Sequence, residues 1–167
     1  HRGAAAQTAT PTAVLAGQVT AEGEDLVFDV QGRGDPLLLI PGSPGEASDY
    51  AQLATLLAPD YTVITFDPRG FGRSTSTTPI NYEIGQQARD VVAVLTAAGF
   101  DQALIMGSSA GAQVGLELAA NHPAAVRGLV AHEPPAVRVL PEAAEAQQRI
   151  AQIYLDGWTE GAKWALL

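Results

Sequence analysis

Two hydrophobic rhythms divide the chain. Leu26, Phe28 and Val30 alternate with polar neighbours, the period of a half-exposed strand, and a short strand near Gly17–Thr20 is its expected hairpin partner. Downstream the alternation gives way to short continuous apolar runs: PLLLI at 36–40, YTVITF at 61–66, ALIM at 103–106 and RGLVA at 127–131. Strands buried on both faces have this composition, which is typical of a parallel sheet covered by helices. The intervening segments carry helical spacing. Tyr50, Leu53, Ala54 and Leu57 share one face, and Ile84, Ala88, Val91, Val92 and Leu95 share another, with Gly99 just beyond as a C-terminal cap. Val114 and Leu118 lie on a third helix, stopped by Asn121-His122-Pro123. The alternation predicts an α/β fold: a mostly parallel sheet with helices on both faces and an N-terminal antiparallel hairpin.

The ends of the chain differ from this middle. Residues 1–15 are Ala/Thr-rich without periodicity and predict a flexible lead-in. Residues 16–135 form the expected core, and 136–167 open with prolines before turning helical. Ile150, Ile153, Tyr154 and Trp158 make a loose apolar stripe there, which ends uncapped at GAKWALL. Tyr154, Trp158 and Trp164 read equally as pocket lining or as ordinary helix packing. If 127–131 is the last strand, the sheet ends in a bare apolar edge, which proteins normally cover or charge. Both features predict that this is the N-terminal part of a larger fold, ending in the start of a helical cap.

Composition narrows the partners. Across 167 residues, 18 acids against 9 bases give a net charge of −9, and the bases are scattered singly. No basic cluster could follow phosphates, so nucleic acid and anionic membrane surfaces are not expected partners. No apolar run approaches the ~20 residues that span a bilayer. Without cysteine there is no disulfide or thiolate chemistry, and His1, His122 and His132 share no metal-ligand spacing. No metal and no cofactor is expected. The compartment stays open, with the cytoplasm favoured over secretion.

Candidate chemistry centres on LIMGSSAGAQVG at 104–115. Gly107-Ser108-Ser109-Ala110-Gly111 fits G-x-S-x-G between a strand and a helix. A sharp strand-to-helix turn strains its central residue and crowds the residues two before and two after it. Glycine at both flanks relieves that crowding. Only Ser109 has glycine on both sides at that spacing; Ser108 has Met106 and Ala110. A serine attacking a carbonyl also needs donors for the developing oxyanion. The backbone N–H of Ala110, at a helix N-terminus, supplies one. The loop IPGSPGEA after the first parallel strand can supply the other from Ser43, since Pro44 has no N–H. The same loop also reads as a plain Gly/Pro turn, and its residues alone do not separate the two.

Together, LLLIPGSPG, TFDPRGFGRS, MGSSAG and HP…VRGLVAHEPP, in this order, resemble the α/β-hydrolase superfamily over roughly residues 17–140. The resemblance implies a partial α/β-hydrolase fold with Ser109 as nucleophile and the N–H groups of Ser43 and Ala110 as oxyanion hole. The Pro-Gly-Ser-Pro-Gly loop is most similar to that of proline iminopeptidase-like and haloperoxidase- or esterase-like members, although Pro41 stands where many carry His. Serine at the elbow departs from the epoxide hydrolase and haloalkane dehalogenase branches, which use Asp. Asp67 reads as a loop tie through Arg69 and Arg73, and His122 as a helix-end residue.

The family's triad acid and histidine follow later strands, and neither is matched here. His132 and Glu133 end the strand beside the elbow and are possible pocket residues, with Glu133 a candidate acid and His132 more plausibly a satisfied, partly buried histidine. The expected function is hydrolysis of a small-molecule ester or amide. Its histidine and aspartate would come from a C-terminal remainder or from a second polypeptide completing the sheet. The alternative is a hydrolase-fold binding or assembly module without catalysis; non-hydrolytic chemistry on the same fold is a third reading.

Overall fold

The computed structural model describes residues 13–76, 82–136, 141–146, 148, 149 and 152. The chain divides into two compact units, His1–Pro134 and Pro135–Leu167. Among the described residues the first holds six strands: β1 (Leu15–Ala21), β2 (Glu24–Gly32), β3 (Asp35–Ile40), β4 (Tyr61–Phe66), β5 (Ala103–Ser108) and β6 (Val126–His132). It also holds the helices α1 (Ala51–Leu57), entered through a 3-10 turn at Ala47–Tyr50, α2 (Ile84–Ala97) and α3 (Ala110–Asn121). In the second unit, a short helical stretch at 143–146 carries an Arg149–Glu145 ion pair. The stripe expected from Ile150, Ile153, Tyr154 and Trp158, and Trp164 with it, lies outside the described residues, as do residues 1–12 of the lead-in.

The sheet runs in the order β1-β2-β4-β3-β5-β6. The hairpin β1–β2 is antiparallel and joins β4 antiparallel, while β3–β4, β3–β5 and β5–β6 are parallel. The continuous apolar runs are explained by burial on two faces, because consecutive strand residues point to opposite sides. Leu38, Ile40, Ile64, Phe66 and Ile105 pack in a core with Val91, Val94 and Leu95 of α2 and Val114 and Leu118 of α3. Leu39 and Val63, with Leu37 and Met106, pack on the other face with Leu53, Ala54 and Leu57 of α1.

Gly99 acts as foreseen. At φ +91°, its N–H donates to Thr96 O and that of Phe100 to Leu95 O, closing α2 with a left-handed cap. The run at 127–131 departs from burial on both faces and is, among the described residues, the apolar edge that its sequence also allowed. Leu129 packs against the core, but Val130 is 59% exposed. β6 lies at the sheet edge and pairs with β5 alone among the described residues, whereas the inner strands pair on both sides.

This topology sets up the site. From β3 the chain moves through α1 to β4 on one side, then returns through α2 to β5 on the other. The strand order therefore reverses between β3 and β5, and the crevice beyond the carboxyl ends of such a pair is where open α/β sheets bind ligands. Ile40 and Gly107 are register partners at that end.

Candidate active site

Ser109 occupies the junction of β5 and α3 with φ 52° and ψ −119°. That combination lies outside the left-handed helical well, in a region non-glycine residues rarely enter. Its side chain does not cap the helix, and the residue is exposed. The turn is held by main-chain bonds: the Ser109 N–H donates to the His132 carbonyl at 2.9 Å, and the Ser109 carbonyl accepts from the N–H of Ala112 at 3.0 Å. The flanking glycines are required by space. A Cβ on Gly107 would sit 2.2 Å from the Gly111 oxygen, and one on Gly111 would sit 2.3 Å from the Ile40 oxygen. The glycine spacing thus reports a real collision between the strand end and the first turn of α3. Ala110 opens that helix, so its N–H has no acceptor four residues back within it.

The loop after β3 runs beside the elbow. A Cβ on Gly42 would lie 3.3 Å from the Ser109 Cβ, and Ser43, the next residue, is exposed. Carboxylates anchor the loop. Asp49 accepts the Glu46 N–H at 2.9 Å, and Asp67 accepts the Ala47 N–H at 2.7 Å.

Asp67 is the loop tie that its sequence context suggested, but with one arginine rather than two. It is 2% exposed and also accepts from the Arg73 backbone at 3.0 Å and the Arg73 Nε at 2.6 Å. Burial works to raise its carboxyl, but the bonds from Arg73 and Ala47 outweigh it and hold the group below its ordinary range. Arg69 turns away. Its guanidinium meets Asp90 of α2 in a bidentate, buried pair at 2.6 and 2.5 Å, so this arginine ties the loop to the helix instead of to Asp67. Nothing in the spacing of the sequence singles out Asp90 as its partner.

His132 ends β6 next to the elbow, with Glu133 following it, and Ser108 and His132 are register partners. His132 is exposed rather than partly buried, because β6 is the edge strand. Its Nδ1 shares a 3.1 Å hydrogen bond with Ser108 Oγ, the tautomer deciding which of them donates. The ring therefore meets the serine beside the candidate nucleophile. Glu133, also exposed, has φ +50°, although a residue before proline ordinarily favours extended backbone. His122 caps the far end of α3, its N–H donating to the Leu118 carbonyl at 2.8 Å.

Sequence spacing did not single out Tyr50, which reads only as one member of an apolar helical face. Its hydroxyl donates to the Ile40 carbonyl at 3.3 Å. Burial first, and the nearby Asp49 carboxylate second, push its phenol above the ordinary range. The signal, legible only in hindsight, is a phenol at the start of a face otherwise built from Leu and Ala. No group of acids and histidines suited to a metal ion occurs among the described residues.

The site can be set against known proteins. A family model described as alpha/beta hydrolase fold matches residues 35–163. The chain is 34% identical to "Uncharacterized hydrolase YraK" of Bacillus subtilis over 74% of this chain and 46% of that one. It is 39% identical to "Putative carbamate hydrolase RutD" of Variovorax paradoxus over 63% of this chain and 41% of that one. Among solved structures, a "putative epoxide hydrolase" from Pseudomonas aeruginosa superposes with a TM-score of 0.64 at 32% identity, over 71% of this chain and 40% of that one. The chain spans less than half the length of these relatives. With the family model matching most of its length, this chain belongs to the alpha/beta hydrolase fold family.

Proposed function

We propose that the chain carries the nucleophile and the oxyanion-binding half of a serine hydrolase that transfers an acyl group from a small ester or amide to water. One observation carries the reading: Ser109 is held at positive φ, exposed, between two glycines that have no room for a side chain. Such strain persists only where the surrounding structure enforces it, and it clusters at functional positions.

In the proposed reaction, Ser109 Oγ bonds to the carbonyl carbon while its proton passes to a general base. The carbonyl π pair moves onto oxygen, where the N–H groups of Ala110 and Ser43 stabilise it. Collapse expels the alcohol or amine, which takes the proton from the base. Water then repeats the sequence on the acyl-enzyme. Serine rather than aspartate at the elbow supports acyl transfer over epoxide opening, and the carbamate named for one relative falls within the same carbonyl class.

The base is not among the described groups. His122 stands at the far end of α3 and His132 is bonded to Ser108, so the histidine belongs to further sequence or to a second polypeptide. Glu133, which follows the last residue of β6, lines the pocket in this reading and is a candidate for the triad acid.

A fluorophosphonate probe applied to the intact protein tests the reading. Labelling of Ser109 that disappears in Ser109→Ala supports it. A folded protein that never labels, or labels equally after the substitution, would overturn it and favour a non-catalytic binding module.

A further inference from the structure

The loop that offers the Ser43 N–H is held by a chain of charged groups that the reaction above does not use. Asp67 follows the last residue of β4 and divides its carboxylate between two tasks. One oxygen, Oδ1, accepts the Ala47 N–H at the far end of the Ser43 loop, at 2.7 Å. The other, Oδ2, accepts the Arg73 backbone N–H at 3.0 Å and the Arg73 Nε at 2.6 Å. The same guanidinium turns its remaining nitrogens to Asp29 of β2, at 3.2 and 2.8 Å. Asp29 is fixed in the sheet as the register partner of Thr65 in β4. Little slack separates the held end of the loop from Ser43. A Cβ on Gly45 would lie 2.5 Å from the Gly42 oxygen, and one on Gly72 would lie 2.9 Å from Glu46 Oε2. Gly42 in turn lies against Ser109.

We propose that Arg73 is a positioning residue for the oxyanion loop, acting through Asp67 and steadied by Asp29. The proposal rests on the reading of Ser109 as nucleophile and Ser43 as an oxyanion donor. Charge-assisted bonds from a planar guanidinium fix direction as well as distance. By holding Oδ2, Arg73 sets the plane of the Asp67 carboxylate and so aims Oδ1 at the Ala47 N–H. Without the guanidinium, Oδ2 keeps only the Arg73 main-chain donor, and the carboxylate gains freedom to turn. The compact loop passes that movement on to Ser43 instead of absorbing it. The segment carrying Arg73 has other anchors, since Arg69 pairs with Asp90 and Ser74 Oγ donates to the Asp67 carbonyl at 2.6 Å. Loss of the Arg73 side chain therefore loosens the carboxylate while the segment stays in place. Oxyanion donors must lie within hydrogen-bonding geometry of the developing charge, and small misplacements cost orders of magnitude in rate. A residue acting in this way changes the rate constant of attack and leaves reagent affinity nearly unchanged.

The test measures fluorophosphonate labelling of the intact protein as a function of probe concentration, separating the probe's binding constant from the rate constant of bond formation. Arg73→Met, which keeps the apolar stem, is expected to lower the rate constant about tenfold at unchanged binding constant, a modest misplacement by the scale above. Asp29→Asn should lower it less, and the double variant should be no slower than Arg73→Met alone, since both break one chain. Val91→Ala is the control for stability. It opens space in the core beneath α2 without touching this chain of bonds, and should leave the rate constant unaltered. If Arg73→Met does not fold, Asp29→Asn reads the same chain from its other end. Wild-type labelling with unaltered rate constants in the Arg73 and Asp29 variants overturns this proposal alone. So do losses that multiply in the double variant, or a Val91→Ala protein slowed as much as Arg73→Met. A wild-type protein that does not label overturns the nucleophile reading, and this proposal with it.

Discussion

Replacing Ser109 by glycine should stabilise the fold, against the usual effect of introducing glycine. The backbone there is held at φ 52° and ψ −119°, which costs a residue with a Cβ about 1–3 kcal/mol. Glycine relieves that strain but gives the unfolded chain more freedom, a loss of about 0.4–1 kcal/mol relative to alanine. The difference leaves Ser109→Gly more stable than Ser109→Ala by about 0.5–2 kcal/mol. Ser109→Ala itself should stay close to wild type, because the serine is exposed and its side chain makes no capping bond. Urea unfolding of the intact protein is the assay. With a slope of about 2 kcal/mol per molar, the midpoints should differ by about 0.25–1 M. Leu116, exposed on α3, is the internal control, since alanine there should exceed glycine by about 1 kcal/mol. If glycine ranks below alanine at both positions, the elbow is not strained and the main structural support for a nucleophile at Ser109 is lost.

Gly111→Ala probes the opposite constraint, space rather than φ. Its Cβ would lie 2.3 Å from the Ile40 oxygen and 2.5 Å from the Pro41 oxygen, so α3 and the end of β3 must separate by about 1 Å, at a cost of about 1–3 kcal/mol. The melting temperature should fall by roughly 2–4 °C per kcal/mol, and labelling of Ser109 should slow about a hundredfold; an unchanged melting temperature would contradict the close approach. Asp67→Asn should cost about 1.5–3 kcal/mol at pH 7, the range for hydrogen bonds to a charged group, kept at that level because Arg73 is half exposed. Because the folded-state carboxyl titrates below its ordinary range, its contribution is complete above the unfolded-state value near 3.9 and is lost as pH falls through the lowered folded value. The gap between wild type and variant in urea midpoint should therefore narrow below about pH 4; a gap that widens there would refute the assignment.

Much of this protein was written in local chemistry. Continuous apolar runs meant strands buried on two faces, and Leu38 and Leu39 do point into separate cores. Gly99 marked a helix end because only a positive φ closes α2 there. The glycines at 107 and 111 marked the elbow because any side chain at either position would collide with backbone. The Gly99 cap and the Gly107–Gly111 clash are constraints between residues close in sequence, so residue types suffice to reveal them. The clash of Gly111 with Ile40 belongs instead to the packing of α3 on β3. What the tertiary structure decided involves partners far apart in the chain. Arg69 could have reached Asp67, but the packing of α2 brings Asp90 to it. His132 became an exposed partner of Ser108 because β6 pairs in register with β5 at the sheet edge. Tyr50 meets the end of β3 because the turn into α1 lays its hydroxyl against the Ile40 carbonyl. Hydrophobic periodicity records which face of an element is buried; it holds no information about which distant polar group that face will meet.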